Sequence, residues 1–164
     1  MASSKVETAL NEQINRELYA AYLYLSMMNH FEGESLSGFA HWMRLQSREE
    51  VGHAMKIVAF LHDRGGRVEL QAISKPPASF DSPLAVMRTA LEHERQVTAE
   101  IEGLYELALK ERDFPAQVLL QWFVTEQVEE EKSASDIVDR LEIGGDSGSA
   151  LLVMDERLGA RSPA

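Results

Sequence analysis

A chain of 164 residues with 45% hydrophobic and 26% charged content is long enough to close one core and carries no sign of a second domain. Its 27 acidic against 16 basic side chains leave a formal net charge of −11, which repels nucleic-acid phosphates and anionic lipid and attracts cations. Cysteine is absent, which excludes disulfides, thiolate metal sites and a cysteine nucleophile; any metal must be held by oxygen and imidazole.

Glycine and proline divide the chain into helices. From Ser4 to Phe31 there is neither, and apolar residues recur at helical spacing. Within this first helix lies the longest apolar stretch, "AAYLYLSMM", far below the roughly 20 residues of a membrane span. The preceding "MASSKVETAL" does not place a basic region before an apolar one, so the expected location is cytoplasmic. "EGES" breaks the helix, and Ser35 is the expected cap of a second helix running to Arg64. Gly52 inside that run costs about 1 kcal/mol relative to alanine, so another force must favour helix there. "GGRVELQAISKPPASFDSP" is too rich in glycine and proline to be helical. Ser82 and Pro83 open a third helix to Lys110, and after "ERDFP" a fourth runs from Phe114 to Ile143, ended by Gly144 and Gly145. A short fifth helix from Ser149 to Leu158 precedes a loose tail.

Connection lengths set the topology. Short breaks make helices one and two, and three and four, antiparallel neighbours. The connection between two and three can extend about 55 Å, longer than a helix of about 42 Å, so it can cross the bundle and leave those two helices parallel. The expected fold is all-α: one domain over 1–164, with a four-helix bundle over 4–143, one long crossover and a fifth helix over 149–158.

Steps of three and four along each helix define its buried seam. The first reads Leu10, Ile14, Glu17, Ala21, Tyr24, Met28, Phe31, and the second Phe39, Met43, Gln46, Glu50, His53, Ile57, Phe60. The third reads Leu84, Met87, Leu91, Glu94, Thr98, Ile101, Tyr105, and the fourth Ala116, Leu120, Phe123, Gln127, Glu130, Ala134, Ile137, Leu141. Every seam is interrupted near its middle by a polar group. Because the midpoints of antiparallel helices coincide, Glu17, Glu50, His53, Glu94, Gln127 and Glu130 are expected at one level. Unpartnered carboxylates in a core would repel one another and lose hydration, so they must bind protons or cations. A pair of divalent ions matches the four carboxylates, and oxygen ligation with one imidazole suits iron or manganese.

Taken singly, a glutamate on a seam or an ExxH pair is ordinary; the weight comes from six such residues at one level. Tyr24 reads either as packing with its hydroxyl on a carboxylate or as a redox neighbour of the site. Glu49, Glu126 and Glu129 lie beside the seams, and "EQVEEEK" reads equally as a solvated face. Trp122, His30, His41, His62 and His93 fall off the clustered positions and read as packing or surface residues.

The stretches "NEQINRELYAAYLYLSM", "EEVGHAMK", "RGGRVEL" and "QWFVTEQVEEEKSA", with the short last helix, resemble the non-haem ferritins of prokaryotes over nearly the whole chain. The resemblance implies a ferritin-like fold and an iron-storage ferroxidase acting with dioxygen or peroxide. Glu17, Glu50 and His53 would surround one iron ion and Glu50, Glu94 and Glu130 the other, with Glu50 bridging and Gln127 beside them. Glu49, Glu126 and Glu129, sharing Glu130, match a third iron site of the prokaryotic branch, and Tyr24 matches a tyrosine next to the centre. The family's storage form is a homo-oligomeric shell of 24 subunits, the fifth helix lining its fourfold contacts. Bacterioferritins repeat ExxH on the fourth helix and place a haem-ligating methionine where Gly52 stands here, so no haem is expected. The acidic channel of animal ferritins has Gln117 and Leu120 at its aligned positions, which leaves the iron entry route open. Two rivals stand beside this reading: a di-metal oxidase of an organic substrate, and a purely structural helical oligomer.

Overall fold

The computed structural model describes residues 4–163. Among these there are five helices and no strand: α1 (Ser4–Gly33), α2 (Ser37–Asp63), α3 (Pro83–Lys110), α4 (Phe114–Gly144) and α5 (Gly148–Gly159). None is long and apolar enough to cross a membrane.

Helix directions follow from which residues touch. Ser47 donates to the Ala21 carbonyl and Arg44 pairs with Glu32, so α1 and α2 are antiparallel. Tyr24 meets Glu94 while Arg16 meets Glu100, so α3 also runs against α1 and therefore parallel to α2. Gln127 meets Thr98 and Gln117 meets the Ala108 carbonyl, which sets α4 antiparallel to α3. The crossover is strapped along α1: Asn11 donates to the Arg67 carbonyl and accepts from the Glu69 amide, while Ser26 donates to the Pro77 carbonyl. Those anchors are separated by about 22 Å of helix. The strap satisfies its backbone groups on the bundle without forming regular structure.

Helix starts are built locally, with one exception. Ser82, Asp113 and Ser147 accept the amides of Ala85, Ala116 and Ala150, the usual reward for a short polar residue at an N-cap. The expected cap of α2 by Ser35 is not made. Ser35 is left-handed, with φ of 59°, closing the turn after α1, and Leu36 holds the cap position without a side-chain bond. The free amides of Gly38 and Phe39 instead reach Asp155 Oδ1 of α5, at 2.8 and 3.0 Å.

The core is two apolar clusters separated by a polar layer. Tyr24, Met27, Phe31, Phe39, Met43 and Met87 fill one end; Leu10, Ile14, Ile57, Ile101 and Phe123 fill the other. Each fully buried side chain of this size contributes about 1.5–3 kcal/mol, so the two clusters can sustain a layer that costs energy to dehydrate. Of the seam positions, Met28, Phe60, Leu84, Thr98 and Tyr105 are half-buried and the others are buried.

The fifth helix divides its apolar residues. Met154 and Leu158 are buried against the chain's own bundle and Leu151 is half-buried, whereas Leu152 and Val153 are 65% and 66% exposed. Docking on the parent bundle is thus part of its role, in addition to any contact with other copies. The tail after it is not loose either, since Arg161 is fixed to α2.

Candidate metal centre

Midway along the bundle, α1 presents Glu17, α2 presents Gln46, Glu50 and His53, α3 presents Glu94, and α4 presents Gln127 and Glu130; all are buried. These include the six residues expected to meet at one level. The ExxH spacing places Glu50 and His53 one turn apart on the same face, and His53 Nδ1 lies 3.3 Å from Glu50 Oε2 and 3.7 Å from Glu17 Oε2.

Two buried triads can each surround a cation, with ligand atoms mutually within 4.8 Å: Glu17, Glu50 and His53, and Glu50, Glu94 and Glu130. Glu50 belongs to both. A third group of the same kind is His53, Glu126 and Glu130, with Glu126 half-buried. His53 Nε2 is 3.9 Å from Glu126 Oε1. Among the described residues, no such group includes Glu49 or Glu129: Glu49 pairs with Arg161 at 2.8 Å, and Glu129 is exposed.

Amides and a phenol hold the carboxylates in place. Gln13 Nε2 donates to Glu17 Oε1 at 2.8 Å, leaving Glu17 Oε2 buried with no hydrogen-bond partner. Gln46 Nε2 donates to Glu130 Oε2 at 2.7 Å. Tyr24 donates to Glu94 Oε1, while Gln127 Nε2 donates at 3.2 Å to Glu94 Oε2 and also reaches the Glu94 carbonyl and Thr98. Sequence reasoning placed Gln46 on a seam without a task and did not single out Gln13. Each stands four residues before a ligand candidate on its own helix, Glu50 and Glu17, which is the spacing that could have pointed to them.

Electrostatics show how much positive charge the layer lacks. Burial and the charges of Glu94 and Glu17 hold the Glu50 carboxyl well above its ordinary range, against a hydrogen bond from His53. Burial and the Glu130 charge raise Glu94 to about 7, opposed by bonds from Tyr24 and Gln127. Burial also raises Glu130. For Glu17 burial acts upward, but the nearby His53 ring, Glu50 and the bond from Gln13 prevail and its pKa is lowered. His53 moves the other way: burial favours its neutral ring, yet Glu17 and Glu50 raise it to about 11. Among the described residues the His53 imidazolium is the cation within the layer, and the orphaned Glu17 oxygen faces its Nδ1. That donor set, with an unsatisfied oxygen and protons held by carboxylates, fits divalent cations.

Trp122 is packed edge-on against His53, with ring centroids 5.4 Å apart, so it borders the centre although it lies off the seam. His93 packs against Tyr19 and Tyr24, and burial lowers its pKa. His41 Nε2 lies 2.8 Å from the Arg161 carbonyl, and His30 packs edge-on against Phe31 and Phe80.

Comparison with known proteins shows the family to which this fold belongs. A model of the ferritin-like domain matches residues 7–143. A bacterial non-heme ferritin of Bacteroides fragilis is 43% identical over 98% of this chain and 100% of its own length, and one of Staphylococcus aureus is 36% identical over 99% and 98%. An open-pore ferritin of the hyperthermophilic archaeon Archaeoglobus fulgidus superimposes with a TM-score of 0.98 at 50% identity, over 99% of this chain and 100% of that one. The chain belongs to the ferritin family and, within it, to the non-haem ferritins of the prokaryotic type.

Proposed function

We propose that the protein stores iron and oxidises it on the way in, as a cytoplasmic ferroxidase without haem. Two Fe(II) ions are the substrate. One is held by Glu17, Glu50 and His53, the other by Glu50, Glu94 and Glu130, with Glu50 between them. Each gives one electron to dioxygen or peroxide, and the ferric product passes into the cavity of a 24-subunit shell as hydrous oxide. The observation that carries this reading is the pair of buried triads sharing Glu50.

The side chains divide the work. Glu17 remains ionised and offers its free oxygen to an arriving cation. His53 gives up the proton that lies toward Glu17 and Glu50, so cation entry exchanges one positive charge for another at that nitrogen. Gln13, Gln46, Gln127 and Tyr24 fix carboxylate orientation from outside, which preserves ligand geometry when charge changes. Tyr24 is also close enough to the centre to serve it as a redox neighbour. Holding both electron donors against one oxidant lowers the barrier by proximity and by neutralising developing negative charge.

Glu126 and Glu130 supply the inner part of a third ion site, the one lone pair of the neutral His53 ring being taken by the first ion; Glu49 and Glu129 complete it only by moving. The test of the main reading is stopped-flow Fe(II) oxidation with the assembled protein. A burst of two Fe(II) per subunit supports it. A protein that takes up no iron and oxidises none would be a structural bundle instead.

A further inference from the structure

The C-terminal tail places a positive charge beside the centre. After α5, the chain folds back over α2, and Arg161 lies with its guanidinium 5.0 Å from the Trp42 ring centroid. Its Nη2 donates to Glu49 Oε2 at 2.8 Å. Both side chains are largely buried, at 24% and 20% exposure, so the pair is screened less than a surface ion pair. The Arg161 backbone is pinned as well, its carbonyl accepting from the His41 ring. Both charges of the pair are felt at the centre: burial raises Glu130, Glu49 adds to that rise, and Arg161 opposes it more weakly. Its attachment is incomplete, since Nη1 is buried without a hydrogen-bond partner. An arginine held by one bond and a ring face, with one terminal nitrogen unsatisfied, is easier to displace than a bidentate one.

Glu49 is one turn from His53 on α2, and a third cation held by Glu126 and Glu130 beside that ring would draw on it. In the present arrangement that carboxylate is already engaged by Arg161. We propose that Arg161 is a positioning residue, a tethered cation that holds Glu49 away from the third ion site and must be exchanged for metal before that site is complete. The inference rests on the third-site reading above. It gives the tail a role in the iron path: Arg161 keeps the outer site weak, so an ion there is passed on instead of retained, and the tail returns when the ion leaves. Displacing one cation by another at a shared carboxylate is a coupling between two ligands of one group, of the size that typically changes affinity about 5–150-fold.

The experiment is isothermal titration of the full-length assembled apo-protein with Zn(II), which binds such donors without redox turnover. The unaltered chain is expected to bind two ions tightly and a third more weakly. Arg161→Gln should bind the third about tenfold more tightly, with the two tight ions unchanged. Arg161→Lys, which keeps the charge, should behave as the unaltered chain. Adding Glu49→Gln to Arg161→Gln should remove the gain. Arg161→Met, which keeps an apolar stem over Trp42, repeats the test if the glutamine variant assembles poorly. Two tight ions with an unchanged third affinity in both neutral variants would overturn the role of Arg161 alone. An unaltered chain that binds no tight ion would overturn the metal-centre reading and this proposal together.

Discussion

Asp155, on the last helix, accepts the backbone amide of Gly38, the second residue of α2, at 2.8 Å. One carboxylate thereby caps a helix whose own N-terminus lacks a side-chain cap, and its negative charge sits at the positive end of the α2 dipole. The approach depends on glycine: a Cβ on Gly38 would lie 1.7 Å from the Asp155 carbonyl oxygen. Gly38→Ala is therefore expected to push α5 off the bundle, and Asp155→Ala to cost about 1 kcal/mol through the lost cap. Hydrogen exchange at Gly38 and Phe39, with thermal melting, checks both.

Truncation after Gly145 removes α5 and the tail. The four-helix bundle and its central layer should persist, while the shell weakens or leaks mineral, because Leu152 and Val153 leave apolar surface for other copies. Light scattering and iron retention are the measurements. A truncated protein that assembles and retains iron like the full chain would remove α5 from the assembly.

Glu50→Ala and His53→Ala should each abolish the rapid phase of Fe(II) oxidation with helicity retained, since Glu50 belongs to both triads and His53 supplies the imidazole. Glu50→Gln should leave the metal-free protein about as stable near pH 7, because burial and the neighbouring carboxylates already keep Glu50 protonated. Rapid oxidation at the unaltered rate in either alanine variant would sink the assignment.

The third site separates its candidates. Glu126 joins His53 and Glu130, whereas Glu129 is exposed. Glu126→Gln should change the number of Fe(II) oxidised in the first turnover, or the regeneration of the centre, and Glu129→Gln should change either less. The two-iron burst should survive in both. Equal and negligible effects would favour a solvated face for this run.

Proton linkage makes the metal-free protein pH-sensitive in a stated direction. Glu94, raised from 4.5 to about 7, contributes stability that is full below 4.5 and lost as pH rises through 7. His53, raised from 6.5 to about 11, contributes stability that is full below 6.5 and lost as pH rises toward 11. Glu17, whose pKa is lowered, acts oppositely, its contribution vanishing only as pH falls below 4.5. The apo-protein should thus melt several degrees lower at pH 8 than at pH 5. Added Zn(II), which replaces those protons, should stabilise it more at pH 8 than at pH 5. Melting curves at both pH values with and without Zn(II) decide it; a stabilisation by Zn(II) that shrank with rising pH would contradict the proton–cation exchange.

Much of this molecule was readable from local chemistry. Helix spans followed from glycine, proline and N-cap residues such as Ser82, because those act through their own backbone. The level at which Glu17, Glu50, His53, Glu94, Gln127 and Glu130 meet followed from periodicity, because polar residues on four seams of antiparallel helices share a midpoint. What no periodicity contains is the partner of a residue far away in the chain. The cap of α2 comes from Asp155, so Ser35 could only be guessed as its source. Glu49 was assigned by its place beside the seam, yet its charge is taken by Arg161, 112 residues away. Gln13 orients Glu17 because packing turns it inward, and Trp122, still exposed, borders His53 because the docking of α4 on α2 sets the two rings edge to face. Sequence alone determined which helices exist and which faces they bury, since both are short-range properties. The tertiary structure decided which carboxylates are free to receive a cation, because that depends on long-range pairs set by helix docking.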